Sequence, residues 1–421
     1  MFLSKIGRVT DGVTRPGALN RSYRTPSSPH QNAWSVNGSY FYVVSGDGSA
    51  IPFAFDQTQG VARRVNPTTS GDGGLVLRFY VEPQFSYVSD SLIYGTVSGT
   101  GANYHTVDQF DFATGAYTRL MDLETLVPTL AGTYVGGIYS SGGPTERLMA
   151  LFGGQQADYH HYVVVFDKAN PLNRFVLDTT GNTINGLPTS MPLNFNLHHA
   201  AIDRSGRYVM LYPTYTDQAA PRKAAQSYLW DLQTGGFTEL GLTALPYGHD
   251  ALGYGATVNQ DCCTATGWDA AQWQFRWLAT PLVTRDVIAT PVTPKQIYLA
   301  DHATWNNARP DKLVPFISGI FRGPTSDTPW RAWDDEIIAV QTDTAPGANA
   351  TVWRFAHHRS DVRNDQDATR VTFWYEPRPN VSQDGRWVLF TSNWEKTLGT
   401  DPTADPTAGA RQDVFVVELK K

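Results

Sequence analysis

The chain has 421 residues, a formal net charge of −6 and only 17% charged residues, and its charges form no block of one sign. Because a nucleic-acid-binding surface needs clustered Lys and Arg and a membrane helix needs about 20 mostly apolar residues in a row, we expect neither a nucleic-acid partner nor a membrane span. The two cysteines, Cys262 and Cys263, are adjacent, which excludes a disulfide framework between distant segments.

Residues 1–29 are predicted as an extended lead-in, because turn-forming residues dominate this stretch. An array of repeats that closes on itself needs a latch to remove its free edges. We expect Arg8, Val9 and Thr10 to provide it by adding a strand to the last sheet. A composition poor in Lys and Cys is typical of an exported bacterial protein, so we expect a secreted or periplasmic location, with the signal peptide absent from this sequence.

One hairpin pattern occurs three times, around Gly38, Gly206 and Gly385. Each copy has a polar lead, a strand, a tight turn that ends in glycine and a second strand rich in bulky apolar residues. Glycine provides the positive φ that such turns need. A second pattern, an aromatic residue and Asp followed four residues later by Gly, recurs at 55–60, 110–115 and 230–235.

Two hairpins give four strands per unit, and about seven units of roughly 40 to 60 residues follow one another. We therefore predict an all-β fold, a seven-bladed β-propeller with four-stranded blades, as a single domain over residues 30–421. The blades are expected near residues 30–65, 82–123, 134–179, 194–243, 247–290, 298–361 and 373–420. The alternative, a pair of β-sandwiches, is disfavoured by the even spacing of the paired patterns.

Chemistry-bearing residues collect where blades begin. In a propeller the first strand of each blade lines the central channel, so residues just before these strands meet at one mouth. When the three hairpins are aligned on their glycines, the equivalent positions hold the following polar residues: His30, Gln31, His199, Arg378 and Asn380. The starts of the irregular fifth and sixth units add Tyr247, His249 and His302.

Neutral imidazole binds transition metals and acts as a base near neutral pH. We therefore predict a functional mouth, with His249 and His302 as ligands of a divalent metal (Mn, Zn or Ca). The alternative is that each histidine caps a strand or bonds to neighbouring backbone, and for any single histidine this is the commoner role.

Two further clusters are candidate substrate-binding groups. Trp stacks on sugar faces, while Asn and Arg bond hydroxyls and carboxylates, which makes the run 305–309 a candidate through Trp305, Asn306, Asn307 and Arg309. His358 and Arg359 form a candidate anion site at the end of a strand. The alternatives are inter-blade packing for the tryptophan and a solvated loop end for the pair.

The pattern Pro379-x-x-Ser-x-Asp-Gly-Arg-x-Val-x-Phe-Thr-Ser392 resembles TolB-like propeller repeats and the last blade of oligogalacturonate lyases, a seven-bladed polysaccharide lyase family. The resemblance implies a manganese ion held by histidines near the channel and a further histidine as base. The family's last blade presents histidines where this chain has Arg378 and Asn380, so His249 and His302 are the expected counterparts.

Two functions follow as hypotheses. The first is an exported carbohydrate-active enzyme, a polysaccharide lyase that acts by β-elimination on a uronic-acid glycan. Arg378, Arg309 or a metal would neutralise the carboxylate, and the candidate bases are His199, His249 and Tyr247. The alternative is a non-catalytic extracellular binding or scaffold propeller. In both cases we expect a monomer whose partner is a polysaccharide or another extracellular ligand.

Overall fold

The computed structural model describes residues 4–28, 30–65, 74–77, 82–97, 105–127, 135–153, 160–214, 227–240, 250–261, 272–288, 301–322, 332–403 and 409–419. These residues form seven antiparallel sheets in which strands that are neighbours in sequence pair with each other. The predicted fold is confirmed: the protein is a nearly all-β, seven-bladed propeller with four-stranded blades. Among the same residues, no helix has the length and apolarity needed to cross a membrane.

The first three blades are built from strands β2 to β15. Blade 1 contains β2 (Tyr23–Arg24), β3 (Tyr40–Ser45), β4 (Ala50–Asp56) and β5 (Val61–Arg64). Blade 2 contains β6 (Gln84–Phe85), β7 (Leu92–Gly95), β8 (Thr106–Asp111) and β9 (Ala116–Asp122). Blade 3 contains β10 (Val135–Ser140), β11 (Arg147–Phe152), β12 (Tyr162–Asp167), β13 (Asn170–Asp178) and an extra outer hairpin, β14 (Thr183–Ile184) and β15 (Leu187–Pro188).

The other four blades complete the ring. Blade 4 contains β16 (Leu197–Ile202), β17 (Tyr208–Pro213), β18 (Tyr228–Asp231) and β19 (Gly236–Glu239). Blade 5 contains β20 (Ala251–Leu252), β21 (Ala256–Asp261), β22 (Gln272–Trp277) and β23 (Thr284–Asp286). Blade 6 contains β24 (Asp301–Thr304), β25 (Phe316–Ile320), β26 (Glu336–Val340) and β27 (Val352–His357). Blade 7 contains β28 (Asn380–Val381), β29 (Trp387–Ser392), β30 (Asp413–Glu418) and β1 (Ile6–Arg8). Short 3₁₀ turns occupy Leu123–Thr125 and Phe373–Tyr375.

The N-terminal segment closes the ring. Strand β1 pairs antiparallel with β30, with Gly7 opposite Val416, and so forms the outer edge of blade 7. After this strand the chain crosses to blade 1, where β2 becomes the innermost strand. The lead-in of residues 1–29 therefore contributes to two blades. Hydrogen bonds between chain ends hold the array shut, as expected for a closed repeat fold.

The innermost strand of blade 1 is interrupted. Tyr23 and Arg24 pair with one end of β3, whereas Trp34 bridges to Phe41 at its other end. Residues 25–28 and 30–32, which lie between these two points in the sequence, are not part of a strand. His30 belongs to this interruption, so it is placed by the two ends of an inner strand.

The hairpin pattern is visible in the sequence for two reasons: its turns need glycine, and its strands carry bulky residues that fill the core. Gly206 and Gly385 have φ values of +75° and +74°, a region that favours glycine because it has no Cβ. Between blades the core is filled by bulky side chains, and Trp34 and Trp230 are fully buried. Burying such a ring removes a large apolar area from water.

Candidate functional site

Two buried histidines from different blades meet in the channel. His199 lies on β16, and His30 lies in the segment that interrupts the inner strand of blade 1. His30 Nδ1 is 3.0 Å from His199 Nε2, and His30 Nε2 is 3.2 Å from Asp250 Oδ1. Burial lowers the pKa of His199 well below its usual value, and the adjacent His30 lowers it further. The His199 imidazole is therefore neutral near pH 7.

Two tyrosines complete this group, which we call the histidine–tyrosine cluster (His30, Tyr139, His199, Tyr212 and Asp250). The Tyr139 hydroxyl, from β10, is 3.3 Å from His199 Nδ1. Tyr212 on β17 donates to the two carboxylate oxygens of Asp250 at 2.8 and 2.7 Å. Burial raises the pKa of Asp250, but His30 and the hydroxyl donors outweigh burial and leave this pKa below its ordinary value. Asp250 is thus a buried carboxylate that stays ionised.

A second group, the arginine cluster, contains Arg24, Glu82, His302, Glu376 and Arg378. Arg24 Nη1 pairs with Glu82 Oε1 at 2.5 Å, and His302 Nε2 lies 2.6 Å from Glu376 Oε2. Burial lowers the pKa of Arg378 to about 9, and repulsion from Arg24 contributes. Burial also lowers the pKa of His302 to about 3, and the charge of Arg378 adds to this shift. At pH 7 Arg378 is charged and His302 is neutral.

Arg378 is the unusual member of this cluster. It is 2% exposed, and its Nη2 donates to the Trp374 carbonyl at 3.1 Å. Its Nε and Nη1 atoms have no hydrogen-bond partner within the described ranges. Its backbone φ is +37°, which non-glycine residues rarely adopt. A buried, unsatisfied cation and a strained backbone both cost stability, and such features collect at functional sites.

Aromatic rings lie over the arginine cluster. Arg378 Cζ is 4.5 Å from the ring centroid of Phe373, and Arg24 Cζ is 4.9 Å from that of Trp374. Phe373 also packs edge-on against His302, with ring centroids 5.9 Å apart. The Phe373 side chain is 40% exposed, so an apolar face is available to solvent directly beside the buried cation.

Glu82 links the two clusters electrostatically. Burial raises the pKa of the Tyr139 hydroxyl, and the charge of Glu82 adds to the rise. The same carboxylate favours the charged form of Arg378. The backbone N–H of Ser27 donates to Glu82 Oε2 at 2.6 Å, and Oγ of the adjacent Ser28 lies 3.4 Å from His199 Nε2, so the two clusters are neighbours.

A network of amides lies at the same end of several inner strands. Asn380 Nδ2 donates to the Gln31 carbonyl at 2.6 Å, and Asn380 Oδ1 accepts from Ala33 N at 3.1 Å and from Asn306 Nδ2 at 3.3 Å. The Tyr87 hydroxyl donates to Asn306 Oδ1 at 2.7 Å. These amides, which we considered as substrate-binding groups, thus bond to other blades and hold the ring together.

Replacing Asn380 by alanine is expected to lower the free energy of unfolding by about 2 kcal/mol, because the buried N–H of Ala33 loses its acceptor. The Gln31 carbonyl keeps Asn306 Nδ2 as a donor at 3.1 Å. Chemical denaturation measures this change. Asn173→Ala removes an exposed asparagine and serves as the matched control with little effect. Equal stability of the two variants would contradict the bridging role of Asn380.

The remaining predicted residues lie in different surroundings. Trp305 is 2% exposed, donates from Nε1 to the Val314 carbonyl and belongs to the core between blades 5 and 6. Asn307 donates to the Pro315 carbonyl at 3.1 Å, whereas Arg309 is exposed. His358 is fully buried, with Nε2 bonded to the Ile320 carbonyl at 2.9 Å and Nδ1 accepting from Ser360 N at 3.0 Å.

Arg359, the neighbour of His358, faces away from it. Its Cζ lies 5.2 Å from the Trp394 ring centroid, and its Nη2 pairs with Glu395 Oε1 at 3.0 Å. Since both ring nitrogens of His358 bond to backbone and Arg359 pairs with an acidic side chain, the structure does not join these two residues into one anion-binding site.

Tyr247 and His249 lie outside the described residues, so their roles stay predictions. No group of three or more His, Cys, Asp or Glu side chains in the described part of the chain is arranged to hold one ion, and Nε2 of His302 lies 2.6 Å from Glu376 Oε2. His249, the other predicted ligand, is outside that part, so the divalent metal stays a prediction.

Sequence reasoning missed several members of the site. Arg24 belongs to a stretch that was predicted as lead-in, and Tyr139 is the fifth of the six residues of β10, a strand without a charged residue. Glu376 follows the 3₁₀ turn Phe373–Tyr375. A usable signal was present only for Glu376, because it lies two residues before Arg378 in the polar lead of the last hairpin.

Comparisons with known proteins support the fold. No protein-family model matches the chain, and no curated protein matches it. An oligogalacturonate lyase solved in complex with manganese is similar over 100% of this chain and 99% of its own, with a TM-score of 0.55 and 13% identity. The oligogalacturonate lyase of Vibrio parahaemolyticus is similar over 99% and 94%, with a TM-score of 0.52 and 11% identity. The expected resemblance is confirmed at the level of the fold: this chain is a seven-bladed propeller of the TolB-like type seen in oligogalacturonate lyases.

Proposed function

We propose that this protein is a carbohydrate-active propeller that binds the carboxylate of a uronic-acid glycan in its channel and cleaves the chain by β-elimination. The observation that carries the proposal is the buried guanidinium of Arg378, whose Nε and Nη1 have no hydrogen-bond partner among the described residues. A carboxylate is the ligand that satisfies such donors and cancels the buried charge.

The surroundings of Arg378 favour a sugar acid over a small inorganic anion. The exposed ring of Phe373 lies beside the guanidinium, and aromatic faces pack against the apolar faces of sugar rings. Arg24 supplies a second positive charge, although Glu82 already pairs with it. The likeness in fold to oligogalacturonate lyases is consistent with this substrate class.

The chemistry of β-elimination requires three things from this site. The positive charge of Arg378 would stabilise the negative charge that develops on the uronate carboxylate as the neighbouring C–H proton leaves. A base must take that proton. The histidine–tyrosine cluster, which contains the neutral imidazole of His199, can supply this base. A proton must then reach the departing glycosidic oxygen.

The test is incubation of the purified protein with oligogalacturonate and a panel of other uronic-acid glycans. We expect the ultraviolet absorbance of an unsaturated uronate product to rise for at least one of them, and neutral glycans to serve as the control. Calorimetric binding to the same panel separates the alternatives. Tight binding to a uronate glycan without product would favour the non-catalytic binding propeller, and neither binding nor product would overturn the proposal.

A further inference from the structure

The two imidazoles of the histidine–tyrosine cluster lie edge to edge. The ring planes of His30 and His199 differ by 11°, their centroids are 5.2 Å apart, and the facing nitrogens are 3.0 Å apart. The centroid separation exceeds the nitrogen separation by about the two ring radii, so the rings are nearly coplanar and the nitrogen atoms point at each other. This is the geometry of an in-plane N–H···N hydrogen bond.

The carboxylate at one end favours one arrangement of the protons. Asp250 is ionised and can only accept, so a single proton on His30 is favoured at Nε2, which lies 3.2 Å from Asp250 Oδ1 without forming a well-aligned hydrogen bond. In that tautomer Nδ1 of His30 accepts from Nε2–H of His199, and Nδ1 of His199 accepts from the hydroxyl of Tyr139. The hydrogen bonds of the row then point toward Asp250.

We propose that Tyr139, His199, His30 and Asp250 form a proton relay, and that the Tyr139 hydroxyl at its end is the acid–base group of the elimination; this role rests on the proposed function. His199 and His30 are positioning residues that act through Tyr139. The relay lets a buried phenol lose its proton, because the positive charge comes to rest on His30 beside the carboxylate of Asp250.

The proton balance of one turnover closes within these groups. The Tyr139 O–H proton passes to Nδ1 of His199, and the Nε2 proton of His199 passes to Nδ1 of His30. The phenolate then takes the proton from the carbon next to the uronate carboxylate. The electron pair of that C–H bond forms the carbon–carbon double bond as the glycosidic C–O bond breaks. Tyr139 gives its new proton to the departing oxygen, and the two relay protons return.

The experiment is nitrogen NMR of protein labelled with ¹⁵N in histidine, without substrate, compared with Asp250→Asn. In the wild type we expect His30 and His199 both protonated at Nε2. In Asp250→Asn an amide N–H can face Nε2 of His30, so both rings should switch to the Nδ1-protonated form. Thr257→Val, which removes one hydroxyl donor from Asp250 and keeps the carboxylate, should leave both tautomers unchanged.

The relay is wrong, whatever the substrate, if His30 carries a proton on Nδ1 in the wild type. It is also wrong if Asp250→Asn leaves the tautomers of both histidines unchanged. The role of its end group is read from turnover: Tyr139→Phe should lower kcat by about 10² to 10⁴-fold with little change in glycan affinity. A wild type that turns over no glycan would defeat the proposed function and leave the NMR result standing on its own. Turnover that survives Tyr139→Phe would remove Tyr139 from the reaction.

Discussion

Replacing Arg378 by methionine is expected to stabilise the folded protein and to abolish its reaction with uronate glycans. Methionine fills a similar volume but needs no hydrogen-bond partner and carries no charge. The wild-type guanidinium is buried without partners at Nε and Nη1, and Arg24 repels it. We expect the free energy of unfolding to rise by about 1 kcal/mol or more, since apolar replacement of buried charge is often stabilising.

The same change should lower kcat/KM by at least about 100-fold, because the developing charge on the carboxylate loses its counter-charge. Denaturation and product absorbance measured on one preparation give both quantities. A gain in stability that accompanies a loss of function is the signature of a side chain kept for its ligand rather than for the fold.

The control is Arg370→Gln, which removes an exposed arginine. Arg370 Nε lies 3.3 Å from Asp367 Oδ2, and both side chains are exposed. Surface ion pairs contribute little, so this variant should resemble the wild type in stability and turnover. If Arg378→Met is less stable than the wild type and retains turnover, Arg378 is a structural residue and the proposed carboxylate site is wrong.

The fold could be predicted because its signals are local. Gly206 and Gly385 lie in tight turns that only a few residue types tolerate, and the strands that follow them are runs of buried, mostly apolar residues. The equivalence of the hairpins also pointed to histidines near one channel. It aligned His30 with His198, whereas the structure brings His30 against His199. The register shift between Leu197 and His199 explains the difference, since neighbouring residues on a strand face opposite sides.

Most of the remaining site could not be predicted, because it depends on contacts between distant segments. Arg24 pairs with Val44 in the inner strand of blade 1 and meets Glu82 of blade 2, a contact between segments that are 58 residues apart. Tyr139 looks like any aromatic residue of a buried strand until His199 is found beside it. Nor does the sequence reveal that Arg378 is buried without a partner, which is a property of its surroundings and not of its residue type.

Acidification between pH 6.5 and pH 4 is expected to destabilise the protein, in part through His358. This imidazole is fully buried, donates from Nε2 to the Ile320 carbonyl and accepts the Ser360 N–H at Nδ1. Protonation of Nδ1 would break the second bond and place a charge in the core. Burial lowers the pKa of His358 to about 4, although the Ile320 carbonyl and Glu336 favour its charged form.

The sign of the effect follows from proton linkage. Below pH 6.5 the unfolded chain binds a proton at this histidine, whereas the folded protein does not do so until about pH 4. The free energy of unfolding therefore falls as pH is lowered through this window, by up to about 3 kcal/mol from this residue. Above pH 6.5 the imidazole is neutral in both states and makes no pH-dependent contribution.

His358→Gln isolates this contribution. The variant is expected to be less stable than the wild type at pH 7, because its backbone contacts are imperfect, but to lose less stability on going to pH 4. Urea denaturation at several pH values gives the free energy of unfolding of both proteins and shows how steeply it changes with pH. Subtracting the variant from the wild type cancels the opposing effect of Asp301, whose pKa burial raises to about 7. His357→Gln, at the adjacent and partly exposed imidazole, controls for the removal of a histidine as such. Parallel pH profiles for His358→Gln and the wild type would mean that His358 is not the neutral, doubly bonded imidazole described here.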